Sequence, residues 1–401
     1  FKEVYDVFQF CNKHDLVGSD LEHPSKTLVG LWKVIVDSEV INYYLEEEQN
    51  LDKVLNIFIR VNSGGTELSY SDMLLSIATA QWKTYDAREE IYTLVDELNN
   101  RGESFNFNKN FILKSCLLLS DIKSVVFKID NFKKDNMQKI EGRWDDIKEA
   151  LVLTVRLLEI WGYNRDTLVS NNAVIPLAYY ILKQGNPTEL ISSSSFAEDR
   201  RKMQRWLMRA LLKQTLGGQS DNILTKIRQV ISIHNDSFPE HEIYEVLKGT
   251  TKSMTFDEDQ VDGLLDMQYG SSNTYTLLAL LYPWLKFDQH FHIDHIYPRN
   301  MFKEKHLKES NIPENSWAEY KSLRDGLSNL QLLQGKVNQS KSDQDFETWL
   351  HNVEADEPLA LDAYKTQHMI PDVDLSFHNF PQFFEERTKI IKAKLQELLD
   401  I

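Results

Sequence analysis

Two short segments hold residue types that can do chemistry together: FHIDHIYPRNMF at 291–302 and LSNLQLLQGKVNQSKSD at 327–343. Asp294 and Asn338 offer hard oxygen ligands of low net charge, the donor type that suits Mg²⁺ or Mn²⁺ and leaves positions for water and phosphate. His295 offers a general base, because an unperturbed imidazole titrates near working pH. Lys341 offers a cation that neutralises phosphate. Together these groups suit hydrolysis of a phosphodiester, which needs an activated water and a stabilised leaving oxygen. The same residue types also occur as satisfied core or surface groups, and a His-x-Asp-His string alone is not diagnostic.

The elements that must bring these groups together can be read from the flanking pattern. Phe291, Ile293 and Ile296 give the first segment the character of a short strand, ended by Pro298. The second reads as a strand over 327–333, a turn at Gly335, and a helix from about Asn338 onward through Phe346 and Trp349. Strand, long loop, strand and helix bring Asp294 and His295 next to Asn338 if the hairpin closes.

These segments resemble an HNH (ββα-metal) nuclease motif. The resemblance implies that Asp294 and Asn338 hold one divalent metal, Mg²⁺ or Mn²⁺, and that His295 activates water. It implies that Asn329 pins the long loop and that Lys341 is the basic residue of the helix. Many such enzymes carry His-His or Glu-His where this chain has Asp-His, and Asp is an acceptable oxygen ligand. His292 is a candidate third ligand. The zinc-ribbon cysteines of some relatives are absent.

A second signature, VLNIFIRVNSGGTELSYSDMLLSIATAQW, covers 54–82. It reads as a strand over 54–61, a turn at 62–65 that needs positive φ at glycine, and a helix from an N-cap at Ser69 to about Trp82, with Asp72 in its first turn. A double glycine before a helix can cradle phosphate, although a plain turn is the commoner case. IFIRVNSGGTELSYSDMLL resembles the end of the ParB/sulfiredoxin-like domain that precedes the nuclease domain in GmrSD-type restriction and phage-defence proteins. NNAVIPLAYYIL, RRKMQRWLMRALL and the tail around HMIP and FPQFFEER fit the same family. The Asp-Gly-Gln-Gln-Arg string for nucleotide handling is missing, so an NTP would act only through residues upstream of this chain. Arg60 and Asn62 are the remaining residues near that pocket.

Composition bounds the rest. Gly and Pro together make 25 of 401 residues, about half the usual share. Long helices with few hairpins follow. Apolar stripes at helical spacing run through 144–161, where Gly162 stops the helix, through 201–216, and near the C-terminus at Phe384, Ile391, Leu395 and Leu398. The fold class expected is mainly α with a small ββα-metal motif, α+β overall. Three parts are expected: 1–83 as the end of the ParB-like domain, 84–265 as a helical middle, and 266–401 as the nuclease domain with its C-terminal helix.

With 45 Lys+Arg against 61 Asp+Glu, the net charge is −16, which argues against a general nucleic-acid coat or a basic membrane-surface protein. Over 284–345 the nine basic and nine acidic residues cancel. Arg299, Lys303, Lys305 and Lys308 cluster just after the proposed base, so Arg299, Lys303 and Lys336 are the candidate substrate contacts. No apolar run reaches the roughly 18 residues that span a bilayer. Two cysteines build neither a disulfide framework nor a four-cysteine zinc site, and a cytoplasmic setting is expected. The partners expected are DNA, modified phage DNA included, and a second copy of the chain, with no membrane. The rival class is a nucleotide- or DNA-sensing scaffold whose nuclease fold binds without cutting.

Overall fold

The computed structural model describes residues 2–38, 70–234, 236–283, 291–356 and 360–401, together with Leu45, Glu47, Lys53, Ile57 and Leu285. The chain forms two compact units, Phe1–Glu67 and Leu68–Ile401. In the first, helix Val4–Lys13 starts on a reciprocal cap between Glu3 and Asp6 and buries Val7 and Cys11; helix Ser19–Trp32 follows. The strand and double-glycine turn expected at 54–69, Arg60 and Asn62 included, lie outside the described residues. Ile57 is described and is helical rather than extended.

The second unit is built almost wholly of helices. The stripe at 144–161 becomes helix Trp144–Ile160, which buries Trp144, Ile147, Leu151, Val155 and Leu158. Gly162 then takes φ 74°, the left-handed turn that only glycine adopts at little cost. The stripe at 201–216 lies in helix Ala197–Leu212, and the C-terminal one in helix Phe380–Leu399. Tyr70–Thr79 is helical, and Asp72 pairs with Lys109 at 2.8 Å, so this helix packs on the helical middle. The expected seam at 265 is crossed by Tyr275, whose hydroxyl donates to the Trp161 carbonyl, and by Arg209, which bonds the Leu398 carbonyl and Asp400. No helix among the described residues is long and apolar enough to cross a membrane.

Among the described residues, one two-stranded sheet stands between these helices. Strand β1 (Phe291–His295) pairs antiparallel with β2 (Leu330–Gln334), with Asp294 opposite Gln331 and His295 opposite Leu330. The expected second strand therefore starts later, because 327–329 forms a 3₁₀ turn. The helix after it runs Gly335–Lys341 and packs on both strands. It does not continue to Trp349: Ser342 takes φ 46°, and a separate helix begins at Phe346. Behind the loop that leaves β1 sits an aromatic core of Tyr297, Phe302, Phe346, Phe377, Phe380 and Phe383. Rings of this size bury large apolar areas and weigh heavily in the packing of the core they form.

The connection between the strands is anchored at both ends by buried polar side chains. Arg387, fully buried on the C-terminal helix, donates to the carbonyls of Leu327, Ser328, Leu330 and His368 and to the Tyr282 hydroxyl. Burial pushes its guanidinium below the usual arginine value, and no carboxylate compensates it among the described residues. Carbonyl oxygens carry that role. The neighbouring chain is tied by Tyr269 N to the Asp325 carbonyl and Leu327 N to the Met267 carbonyl. Gly326 lies between them, where a Cβ would come within 2.7 Å of the Phe384 ring.

Candidate active site

Successive residues of a strand face opposite sides, and the two proposed catalytic neighbours do so at the end of β1. Asp294 turns toward the following helix. Its Oδ2 accepts from Gln331 Nε2 at 2.9 Å and from Lys341 Nζ at 2.9 Å. Its Oδ1 has no partner among the described residues. Asn338, partly exposed on the helix Gly335–Lys341, likewise bonds no described side chain.

Lys341 does not reach outward as a phosphate contact would. It is fully buried, and besides Asp294 its Nζ donates to the His295 carbonyl at 2.7 Å. Burial lowers its ammonium below the ordinary lysine value, an effect that the Asp294 charge and hydrogen bond partly offset. The placement makes Lys341 a brace beneath the strand end, with access to solvent only if it abandons both partners.

His295 turns the other way. It is 8% exposed, and its Nε2 lies 2.9 Å from Asp325 Oδ1. Its ring packs 4.7 Å from the Tyr269 ring. Burial lowers its pKa below the usual histidine value, against the opposing pull of Asp325. Asp325 also holds Arg324, at 2.6 Å and 2.9 Å, and Arg299, at 3.1 Å. Burial alone would raise its carboxyl, but the hydrogen bonds from Arg324 and His295 and the two arginine charges leave it below the ordinary range.

Asn329 is fully buried and clasps the loop that leaves β1. Its Oδ1 accepts from Tyr297 N, and its Nδ2 donates to the carbonyls of Tyr297 and Arg324. All its amide donors and one acceptor site are thus spent on backbone, which fixes 295–297 against 324–329.

The basic cluster is less free than its charge count implies. Arg299 is half exposed, yet it is bound to Asp325 and lies over the Tyr269 ring. Lys305 and His306 face Glu309, and Lys321 pairs with Glu304. Lys303 is exposed at the start of this run. The side chain of Lys336 lies outside the described residues. His292 is exposed on β1 and lines a cleft of about 430 Å³ with Tyr269, Asn164 and Asp166.

Donor chemistry decides whether a metal fits. Among the described residues no three His, Cys, Asp or Glu side chains gather as a cage. A single carboxylate with one amide oxygen suits Mg²⁺, which keeps several waters and takes further oxygens from phosphate. Asp294 Oδ1, without a partner among the described residues, and the amide of Asn338 are donors of that kind, although the Lys341 ammonium already pairs with the same carboxylate. Nothing in the sequence marks Asp325, which stands 30 positions beyond the histidine that it faces.

The antiparallel hairpin with a helix packed on both strands carries Asp-His at one strand end and Asn on the helix. The same stretch is similar to a known family: residues 243–365 match the family of GmrSD restriction endonucleases, C-terminal domain. The match spans the sheet, both anchoring loops and the helix of the site. No curated protein matches the chain.

Proposed function

We infer that the chain is a metal-dependent DNA endonuclease or nickase of a restriction and anti-phage defence system, hydrolysing phosphodiesters at an HNH-type site. The observation that carries this reading is the ββα unit itself, with Asp294 and His295 at one strand end, Asn338 on the packed helix, and the whole inside the segment similar to GmrSD endonucleases.

Asp294 and Asn338 would hold one divalent cation, Mg²⁺ or Mn²⁺, which supplies Lewis-acid stabilisation of charge on the phosphate oxygens. His295 takes a proton from water as the water oxygen bonds to phosphorus and one ester P–O bond breaks. The leaving oxygen takes a proton from solvent, so the products are a phosphate monoester and a freed hydroxyl, and His295 returns its proton to solvent. Asn329 holds the loop that carries His295, and Lys341 holds Asp294. Lys303 and Lys336 contact the DNA backbone; Arg299 contributes from its place on Asp325.

One observation favours a second reading. The Lys341 ammonium already neutralises Asp294, which suits a fold that binds DNA without a metal and without cutting. A supercoiled plasmid incubated with the chain and Mg²⁺ or Mn²⁺ separates the two. Hydrolysis predicts nicked or linear product that EDTA removes. Retention of plasmid in a gel shift with no product under any metal supports the scaffold instead.

A further inference from the structure

We propose that Asp325 is a positioning residue for His295: it fixes which ring nitrogen carries the proton and leaves Nδ1 as the basic atom. This rests on His295 being the base, as inferred above. The geometry begins at Oδ1 of Asp325, 2.9 Å from His295 Nε2. A carboxylate has no proton to offer, so the imidazole must donate along this edge. The neutral ring then carries its lone pair on Nδ1, which bonds no described residue.

The rest of the surroundings enforce that arrangement. Arg324 donates twice to Asp325 Oδ2, and Arg299 reaches both oxygens. Two guanidinium groups hold the carboxylate charged and fixed in its plane. Its backbone carbonyl is bonded by Tyr269 N at 2.7 Å, and the Tyr269 ring covers the imidazole. Among the described residues, the His295 ring therefore has one hydrogen-bond partner, one stacking surface and one open nitrogen.

Asp325→Asn tests the assignment sharply. Arg324 presents two N–H groups to the Oδ2 position, against one at Oδ1 from half-exposed Arg299, which can turn away into solvent, so the oxygen of the new amide should settle at Oδ2. The amide nitrogen is then left facing His295 Nε2, where it can only donate. That drives the imidazole proton to Nδ1 and removes the basic lone pair.

The first readout is ¹⁵N NMR of the full chain with labelled histidine, with the His295 resonances identified by their loss in His295→Ala. The wild type should show Nε2–H, and Asp325→Asn should show Nδ1–H. An Nδ1–H wild type, or an unchanged tautomer in Asp325→Asn, overturns the proposal, and neither depends on the chain cutting DNA. The second readout is plasmid nicking. Asp325→Asn should lower kcat at least about tenfold, the usual scale for an orienting partner, with KM within about twofold. In a His295→Ala background rescued by added imidazole, Asp325→Asn should cost nothing further. An equal loss in that background, or a raised KM with kcat unchanged, contradicts a role through His295. A wild type that cuts nothing contradicts the nuclease reading alone, and the NMR result still decides the tautomer.

Discussion

One ammonium joins the two residues at the end of β1: Lys341 Nζ is 2.9 Å from Asp294 Oδ2 and 2.7 Å from the His295 carbonyl. The last residue of the site helix thereby locks to the last two residues of the strand. The lysine is buried while its partner is nearly so, which places this ion pair in low dielectric, where losing one member leaves an uncompensated charge.

Lys341→Met, which keeps the stem and removes the charge, should destabilise the second unit by about 3 kcal/mol. Lys303→Ala should leave stability unchanged. The salt dependence of DNA binding separates them further. Lys303→Ala should reduce the slope of log affinity against log salt by about one if it meets a phosphate, while Lys341→Met should leave the slope as it is. A changed slope in Lys341→Met would return it to the phosphate-binding set.

Arg387 reaches five groups from a fully buried position. Arg387→Met should strand the carbonyls of Ser328, Leu330 and His368 without their side-chain donor, while the Leu327 carbonyl keeps the Leu330 N–H, at a cost of about 3–5 kcal/mol. Arg387→Lys should recover only part, because an ammonium lacks the planar fork. Urea unfolding followed by circular dichroism measures both.

Asn329→Ala removes three buried hydrogen bonds to backbone. The expected loss is about 2–3 kcal/mol. Hydrogen exchange should show the amides of Ile296 and Tyr297 losing protection before those of helix Trp144–Ile160. Uniform loss across the second unit would mean that the loop is not pinned locally.

His368 supplies a pH dependence. It is buried against Arg387, Tyr282 and Tyr364, and burial, with the Arg387 charge, pushes its pKa down to about 3. The unfolded chain takes up a proton near pH 6.5 while the folded chain refuses it. Stability is therefore full above about pH 6.5 and falls as the pH drops toward 3. Between pH 7 and 5, wild type should lose about 1–2 kcal/mol more than His368→Gln. Equal losses in the two proteins would show that His368 protonates freely in the fold.

The parts of this picture that were legible in the sequence share a physical basis. Helices such as Trp144–Ile160 declare themselves because burial of one face imposes a 3.6-residue period. Asp294, His295 and Asn338 stand out as oxygen and nitrogen donors on two short segments that a closed hairpin brings together, whereas Asn329 is marked only by the resemblance to HNH nucleases. Asp325 and Arg387 were not legible. Each is a charged residue in a polar context, Arg-Asp-Gly and Glu-Glu-Arg, and each acquires its role only through contacts across the fold. Lys341 was legible as a basic residue near the site but not as a buried one, since lysine is rarely found inside unless paired. The break at Ser342 was hidden too, because Ser-Lys-Ser-Asp carries no glycine or proline to mark it.

One measurement decides whether phosphodiester hydrolysis occurs at the end of β1. The initial rate of supercoiled-plasmid nicking in Mg²⁺ or Mn²⁺ is compared between wild type and His295→Ala, with melting temperatures recorded for both. Wild type should nick in a metal-dependent way, and His295→Ala should lose at least about 100-fold while its melting temperature, lowered by the lost contacts to Asp325 and Tyr269, stays above the assay temperature. Nicking that survives in a folded His295→Ala, or no nicking by wild type with either metal, would contradict hydrolysis at this site.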